Sequence, residues 1–177
     1  MIQGHVFIAT SLDGFIARPD GALDWLLPYS ETGEDHGYEA FMAGMDGLVM
    51  GSGTYESVLA FPEWPYRKPV VVLTRRHLAV PSHLKGRVRF SAAGPRTIME
   101  ELTREGWRNV YVDGGQVVQA FLREGLIEMV LITRVPILLG QGRPLFGETA
   151  GDVRLEHLET KAFPSGLSQS RYRVLAR

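Results

Sequence analysis

The chain has 177 residues, of which 45% are hydrophobic and 22% charged, and its 19 Lys and Arg nearly balance its 20 Asp and Glu. That length predicts a single domain over residues 1–177, and that balance excludes the basic surface typical of proteins that bind nucleic acid or acidic membranes. Cysteine is absent, which excludes disulfides, thiolate metal sites and cysteine nucleophiles and favours a cytoplasmic location.

Strands and helices alternate along most of the chain. Continuous apolar runs predict buried strands at 5–9, 47–50, 69–73, 88–91, 110–112 and 129–135. Apolar residues at helical spacing predict helices over 38–45, 97–104 and 116–123. Residues 153–163 and 167–176 then predict an antiparallel hairpin. The predicted fold class is α/β, a three-layer α/β/α sandwich with a central mixed, mostly parallel sheet and a C-terminal antiparallel hairpin.

Two strand-to-helix junctions carry glycine, LVMGSGTYESV at 48–58 and YVDGGQVVQAFL at 111–122. Ligands of open α/β sheets bind beyond the carboxyl ends of the strands. There the N–H groups of a helix start attract phosphate, and glycine lets a pyrophosphate approach the backbone. Neither junction has the spacing G-x-G-x-x-G, so ordinary tight turns and helix caps remain an alternative to a dinucleotide site.

Six segments in a fixed order carry a resemblance to a known family. They are FIATSLDGFIA (7–17), GALDWL (21–26), DGLVMGSGTYESV (46–58), VVVLTRR (70–76), VYVDGGQVVQAFL (110–122) and VPILLGQGRPLF (135–146). The chain resembles the dihydrofolate-reductase-like superfamily, and its last segment is similar to the branch that contains the RibD C-terminal domain of riboflavin biosynthesis. The resemblance implies an NADPH-dependent reductase that passes a hydride to a small heterocycle or a related C=N or C=O group.

The same resemblance implies which residues hold the cofactor, NADPH. The implied positions are Ala9 and Ile16 at the nicotinamide; Ser52, Gly53 and Thr54 at the pyrophosphate; Thr74, Arg75 and Arg76 along the adenosine ribose and its 2′-phosphate; and Gly114, Gly115, Gln116 and Val117 at the phosphates and the nicotinamide ribose. It further implies a cis peptide between Gly114 and Gly115. Because Ser52 carries no charge where the family often has a basic residue, Arg75 and Arg76 are expected to supply the positive charge.

On the substrate side, the resemblance implies a carboxylate after the mobile loop that holds the substrate and helps to supply a proton. Counting back from Gly51 selects Asp35, with Glu31, Glu34 and Glu39 as competitors or as solvated residues of a helix start. Asp13 and Trp25 are candidate substrate contacts, although a turn and a buried loop anchor are their ordinary uses. The five histidines show no metal-binding spacing, so no metal site is predicted.

Three functions stay open at this point. The first is a reductase of the riboflavin type, the second a true dihydrofolate reductase, and the third a nucleotide-binding module without turnover. The expected partner is a small-molecule substrate, with neither nucleic acid nor membrane involved. The resemblance also implies a homodimer, because members of this family commonly pair through edge strands or C-terminal hairpins, and the alternating segment QSRYRVLA is consistent with such a strand.

Overall fold

A computed structural model describes residues 2–176 of the chain. The strands are β1 (Gln3–Ser11), β2 (Phe15–Ala17), β3 (Gly47–Gly51), β4 (Val70–Leu73), β5 (Val88–Ser91), β6 (Asn109–Asp113), β7 (Ile127–Val135), β8 (Arg143–Pro144), β9 (Leu155–Ala162) and β10 (Ser168–Val174). The helices are α1 (Leu27–Ser30), α2 (Tyr38–Ala43), α3 (Ser52–Leu59), α4 (Pro95–Arg104) and α5 (Gly115–Arg123), with a 3-10 turn at Ser82–Leu84. Within residues 2–176, none of these helices has the length and apolar character needed to cross a membrane.

Eight strands form one sheet in the order β5-β4-β3-β6-β1-β7-β10-β9. The pairs among β5, β4, β3, β6, β1 and β7 are parallel, whereas β10 pairs antiparallel with both β7 and β9. The predicted mixed sheet with a C-terminal antiparallel hairpin is therefore confirmed. The first strand lies inside the sheet because it pairs with strands from much later in the chain.

Both faces of the sheet are buried, as the continuous apolar runs predict. In β4, Val71 packs on the face covered by α4 and α5, whereas Val70 and Val72 pack on the face covered by α2 and α3. Successive side chains of β6 divide in the same way, with Val110 and Val112 on the first face and Tyr111 on the second. Two apolar layers thus enclose the strands, which makes the protein a three-layer sandwich.

A second, two-stranded sheet joins the loop after β1 to a segment far along the chain. In it β2 pairs antiparallel with β8, and Ala17 lies opposite Arg143. Asp13 strengthens the connection, because its carboxylate accepts hydrogen bonds from the backbone N–H groups of Leu139 at 3.1 Å and Gly140 at 2.8 Å. The loop that the sequence predicts to be mobile is therefore fastened to the segment 139–144.

The bounds of several predicted elements shift. The helix predicted at 38–45 ends at Ala43, where Gly44 caps it. The first and last of the predicted parallel strands are longer than expected, since they cover Gln3–Ser11 and Ile127–Val135. The two strands, β1 and β7, are longer because they pair with each other along most of their length, with partners in β7 for Gly4 through Ser11.

Candidate functional site

One large cleft lies at the carboxyl ends of the parallel strands, where the sequence predicts a ligand. Its volume is about 1010 Å³, which is at the upper end of the roughly 300–1,000 Å³ typical of small-molecule sites. Its walls come from the β1 strand, the loop after β2, the start of α3, the junction of β6 with α5, and β8. Neighbouring strands in the order β4-β3-β6-β1 place these segments side by side, so the cleft crosses the edge of the sheet.

The glycine pair lies where two helix starts meet. Gly114 has φ +91°, and a Cβ atom at this position would lie only 2.5 Å from the Thr54 Oγ1 atom of α3. A Cβ atom on Gly115 would lie 2.7 Å from the carbonyl oxygen of Pro144 in β8. The two glycines therefore let α5 begin in direct contact with α3 and with β8, and this contact closes the floor of the cleft.

The predicted cis peptide between Gly114 and Gly115 is wrong, because residues 2–176 contain no cis peptide bond. The positive φ of Gly114 turns the chain from β6 into α5 with a trans peptide instead. Glycine adopts this φ without the steric cost that a Cβ atom would bring.

Ten of the twelve predicted cofactor residues line the cleft. They are Ala9, Ile16, Ser52, Gly53, Thr54, Arg76, Gly114, Gly115, Gln116 and Val117. Thr74 and Arg75 do not line it, although the Thr74 Oγ1 atom accepts a hydrogen bond of 3.0 Å from the Arg76 backbone N–H. Thr74 therefore shapes the turn that brings Arg76 to the cleft, whereas Arg75 is exposed to solvent beside it.

Arg76 lies at the end of the cleft that follows β4. Its guanidinium pairs with the carboxylate of Glu56 on α3, and both side chains are about half exposed, at 54% and 49%. A ligand phosphate that approaches Arg76 must therefore compete with Glu56. The pair lies at the mouth of the cleft, where the family resemblance implies a 2′-phosphate.

The part of the cleft at the end of β6 holds a carboxyl group that the sequence analysis does not select. Asp113 is the last residue of β6, and its side chain shares a face of the sheet with Tyr111. Burial raises its pKa from 3.8 to about 6, although the Gly114 N–H, which donates to Oδ1 at 2.8 Å, and the Tyr66 side chain favour the ionised form. A carboxyl group with this pKa exchanges protons near neutral pH, as a general acid must.

Three tyrosines surround this carboxyl group. Tyr66 and Tyr111 are buried and line the cleft, and the Tyr111 hydroxyl donates to the Phe7 carbonyl oxygen at 2.8 Å. Tyr38 packs edge-to-face on the Phe7 ring, 5.5 Å away between centroids, and burial together with the charge of Asp113 raises its pKa to about 12. Burial likewise raises the pKa of Tyr66 and Tyr111, so all three phenols stay protonated. This part of the cleft, called the deep pocket below, is thus lined by aromatic side chains whose phenols stay neutral, with Asp113 as its ionisable carboxyl group.

The sequence offered one signal for Asp113 and none for its neighbours. An acidic residue at the end of a buried strand, directly before the glycine pair, stands at the sheet edge where α/β proteins bind ligands. Tyr66, by contrast, comes from the segment FPEWPYRKP, whose pattern predicts only a loop.

The three predicted substrate-side residues lie outside the cleft. The Asp35 carboxylate is exposed and accepts a hydrogen bond of 2.7 Å from the Gly37 N–H, so it forms the turn that begins α2. Asp13 fastens the loop after β1 and contacts backbone instead of the cleft. Trp25 is 4% exposed and packs with Val135 and Leu167, which makes it a loop anchor. Asp35, the predicted proton donor, therefore does not line the cleft, whereas Asp113 does.

The donor set of the cleft fits a phosphorylated dinucleotide. The first N–H groups of α3 and α5 have no partner within their own helices, as at any helix start, and neither helix has a side-chain cap. Arg76 and Arg143 add two guanidinium groups. Backbone N–H groups and guanidinium groups are the usual ligands of phosphate. Ser52, Gly53, Thr54, Gly115 and Gln116 would hold phosphates, with Arg76 at one end.

Comparisons with known proteins show what the chain is similar to. The family described as "RibD C-terminal domain" matches residues 4–168. The "Uncharacterized protein YwjB" of Bacillus subtilis is 36% identical over 161 residues, which cover 89% of this chain and 90% of that protein. A solved "Putative riboflavin biosynthesis protein" from Shewanella sp. PV-4 is 40% identical, with a TM-score of 0.92 over 99% of this chain and 100% of that one.

A dihydrofolate reductase from Enterococcus faecalis, solved with NADP(H), shares the fold at 18% identity. Its TM-score is 0.66, over 98% of this chain and 96% of that one. The predicted dihydrofolate-reductase-like fold is therefore confirmed.

Proposed function

Because the chain belongs to the RibD C-terminal domain family, we propose that it is an NADPH-dependent reductase that transfers a hydride to a small heterocycle or a related C=N or C=O group. One observation carries the proposal. A single cleft joins two glycine-bearing helix starts, which suit a dinucleotide, to a carboxyl group with a pKa of about 6, which suits a proton donor. A module that only binds nucleotides has no need of such a carboxyl group beside the site.

Different parts of the cleft have different proposed roles in binding the cofactor. When bound, the nicotinamide cofactor supplies the hydride, and the protein supplies position and charge. The N–H groups at the starts of α3 and α5 hold the phosphates, and Arg76 lies at the end expected for the 2′-phosphate. Ala9 and Ile16 provide apolar contacts on the wall formed by β1 and the loop after it. In this proposal, the reactive end of the cofactor would lie towards β1 and the deep pocket.

Asp113 completes the reaction on the substrate. Reduction of a C=N or C=O group adds a hydride to carbon and a proton to nitrogen or oxygen. Asp113 in its protonated form donates that proton, and bulk water restores it after product leaves. The aromatic side chains of Phe7, Tyr66 and Tyr111 line the cleft beside this carboxyl group. Burial that raises the pKa of the acid to about 6 therefore also makes the acid useful at near-neutral pH.

The class of substrate follows from the relatives. The similar Shewanella protein is described as a "Putative riboflavin biosynthesis protein", and the reductase of that pathway acts on a phosphoribosylaminopyrimidine. Such a ring offers N–H groups, which can donate hydrogen bonds to the carboxylate form of Asp113. It also offers a C=N or C=O group nearby. An aminopyrimidine or a related nitrogen heterocycle is accordingly our proposed substrate class, with a small molecule as the partner.

Fluorescence titration of the purified protein with NADPH and NADH tests the cofactor half of this proposal. The reductase half is tested by following oxidation of the bound cofactor with a riboflavin precursor or with dihydrofolate as acceptor. We expect micromolar-range binding of NADPH and oxidation with the pyrimidine. Failure to bind either nucleotide would overturn the proposal, and binding without oxidation of any acceptor would favour a nucleotide-binding module.

We also propose that two copies form a homodimer. Strand β9 lies at the edge of the eight-stranded sheet and pairs, within residues 2–176, with β10 alone. Its free edge can accept the same strand of a second copy. Light scattering that returns the mass of one chain at micromolar concentration would contradict this.

A further inference from the structure

The cleft contains a second arginine, Arg143, which has no role in the proposed reaction. Its guanidinium lies opposite the first turn of α3, because a Cβ atom on Gly53 would be 3.8 Å from Nη1. On the other side it covers Gly21, where a Cβ atom would be 3.2 Å from the guanidinium carbon. The side chain thus fills the gap between α3 and the loop that follows β2.

Backbone contacts fix Arg143 in this position. The residue belongs to β8 and pairs with Ala17 of β2, and its Nε atom donates to the Pro19 carbonyl oxygen at 3.3 Å. The residue before it must be small, since a Cβ atom on Gly142 would collide with the Ala17 carbonyl oxygen. The glycine segment GQGRP therefore allows close strand pairing that directs Arg143 towards the cleft.

The two arginines of the cleft differ in what they already contact. Arg76 is paired with Glu56, whereas Arg143 forms no ion pair with any carboxylate among residues 2–176. Its Nε atom donates to a backbone carbonyl oxygen, so the two terminal nitrogens remain available to a ligand. The start of α3 offers only the uncharged Ser52, Gly53 and Thr54. A phosphate there would find its compensating cation in Arg143.

We propose that Arg143 binds the phosphate group held at the start of α3, with its two terminal nitrogens as a bidentate donor pair. This inference rests on the proposed function, and it assigns the cation that the α3 site lacks. The phosphate has two potential sources with the same chemistry, the pyrophosphate of the dinucleotide and a phosphate ester on the substrate. Arg143 would serve both NADPH and NADH, because they share the pyrophosphate.

Replacement of Arg143 by Gln tests the inference, with Arg104→Gln on the outer surface of α4 as a charge-matched control. Arg143 is exposed, so the fold should survive, and circular dichroism with thermal unfolding checks this. Loss of a charged hydrogen-bond pair is expected to raise the Kd for NADPH and NADH alike by roughly 10-fold to 100-fold. Arg143→Lys keeps the positive charge but not the two-nitrogen geometry of the guanidinium group. It is expected to recover part of the affinity for both nucleotides.

Calorimetric titration with ribose 5-phosphate distinguishes the two sources. If R143Q weakens ribose 5-phosphate binding but leaves both nucleotide Kd values at the wild-type level, the phosphate belongs to the substrate. If R143Q binds all three ligands as the wild type does, the inference is overturned while the proposed function stands. If the wild type binds neither nucleotide, the proposed function fails, and the ribose 5-phosphate titration alone then decides for or against Arg143.

Discussion

Replacing Asp113 by Asn is expected to make the protein more stable and less active at the same time. Asn keeps an oxygen that accepts the Gly114 N–H, but it removes the charge that burial disfavours. The carboxyl pKa rises from 3.8 to about 6, and one pKa unit corresponds to about 1.4 kcal/mol. Ionised Asp113 therefore lowers the free energy of unfolding by about 3 kcal/mol relative to the protonated form.

The sign of the pH dependence follows from the direction of the shift. Because the native pKa lies above the unfolded one, native Asp113 binds its proton more tightly than the unfolded chain does. Its favourable contribution is fully present below the unfolded pKa and is lost as the pH rises through about 6. The stability advantage of D113N should then grow from near zero at about pH 4 to about 3 kcal/mol at about pH 8. Urea denaturation at a series of pH values measures this difference.

Activity should change in the opposite direction. In the wild type, kcat/KM is expected to fall above a pH of about 6, as the proton donor is lost. D113N should lose a factor of roughly 10²–10⁴ in kcat/KM. Its pH profile of kcat/KM should also lack the fall that the wild type shows. The reasoning is refuted if the stability advantage of D113N over the wild type does not grow with pH, or if the variant keeps the wild-type pH profile of kcat/KM.

Three further substitutions probe the cleft. Gly114→Ala forces a Cβ atom to within 2.5 Å of Thr54 Oγ1 at a φ of +91°, so it should cost about 1–3 kcal/mol of unfolding free energy. Gly94→Ala, where a Cβ atom meets nothing within 4 Å, is the control in the same urea titration. Arg76→Gln should raise the Kd for NADPH about 10-fold and leave that for NADH unchanged; equal losses for both nucleotides would contradict a 2′-phosphate contact. Asp35→Asn should keep kcat/KM within about twofold, since its side chain lies outside the cleft; a loss comparable to that of D113N would restore Asp35 as the donor.

The layered fold could be predicted because its signal is local. Each parallel strand is buried on both faces, so it appears in the sequence as a continuous apolar run, of which Val70–Leu73 is the clearest. The glycine pair was equally visible, since two adjacent glycines between a strand and a helix are costly without a close contact. The contact proved to be Thr54 and Pro144 of the protein itself, in addition to any ligand.

What could not be predicted depends on distant pairing. β2 and β8 have three and two residues, too few for a local pattern, and only their mutual pairing orders them. That pairing brings Arg143 to the cleft, although nothing near Arg143 in the sequence indicates it. Counting along the loop selects Asp35, but the loop turns towards solvent there, so the side chain is exposed and does not line the cleft. Asp113 needed no counting, because strand alternation already places it with Tyr111 on the pocket side.

The position of the first strand has a consequence for synthesis of the protein. β1 lies inside the sheet, and Gln3 pairs with Asn109, about 100 residues later. A ribosome that adds roughly 5–20 residues per second needs about 5–20 s to deliver that partner. During this time β3, β4 and β5 can pair with one another, whereas the backbone groups on both edges of β1 have no partner strand until β6 and β7 are made. The nascent chain is thus most exposed to chaperones and to aggregation through the strand that later forms a wall of the cleft.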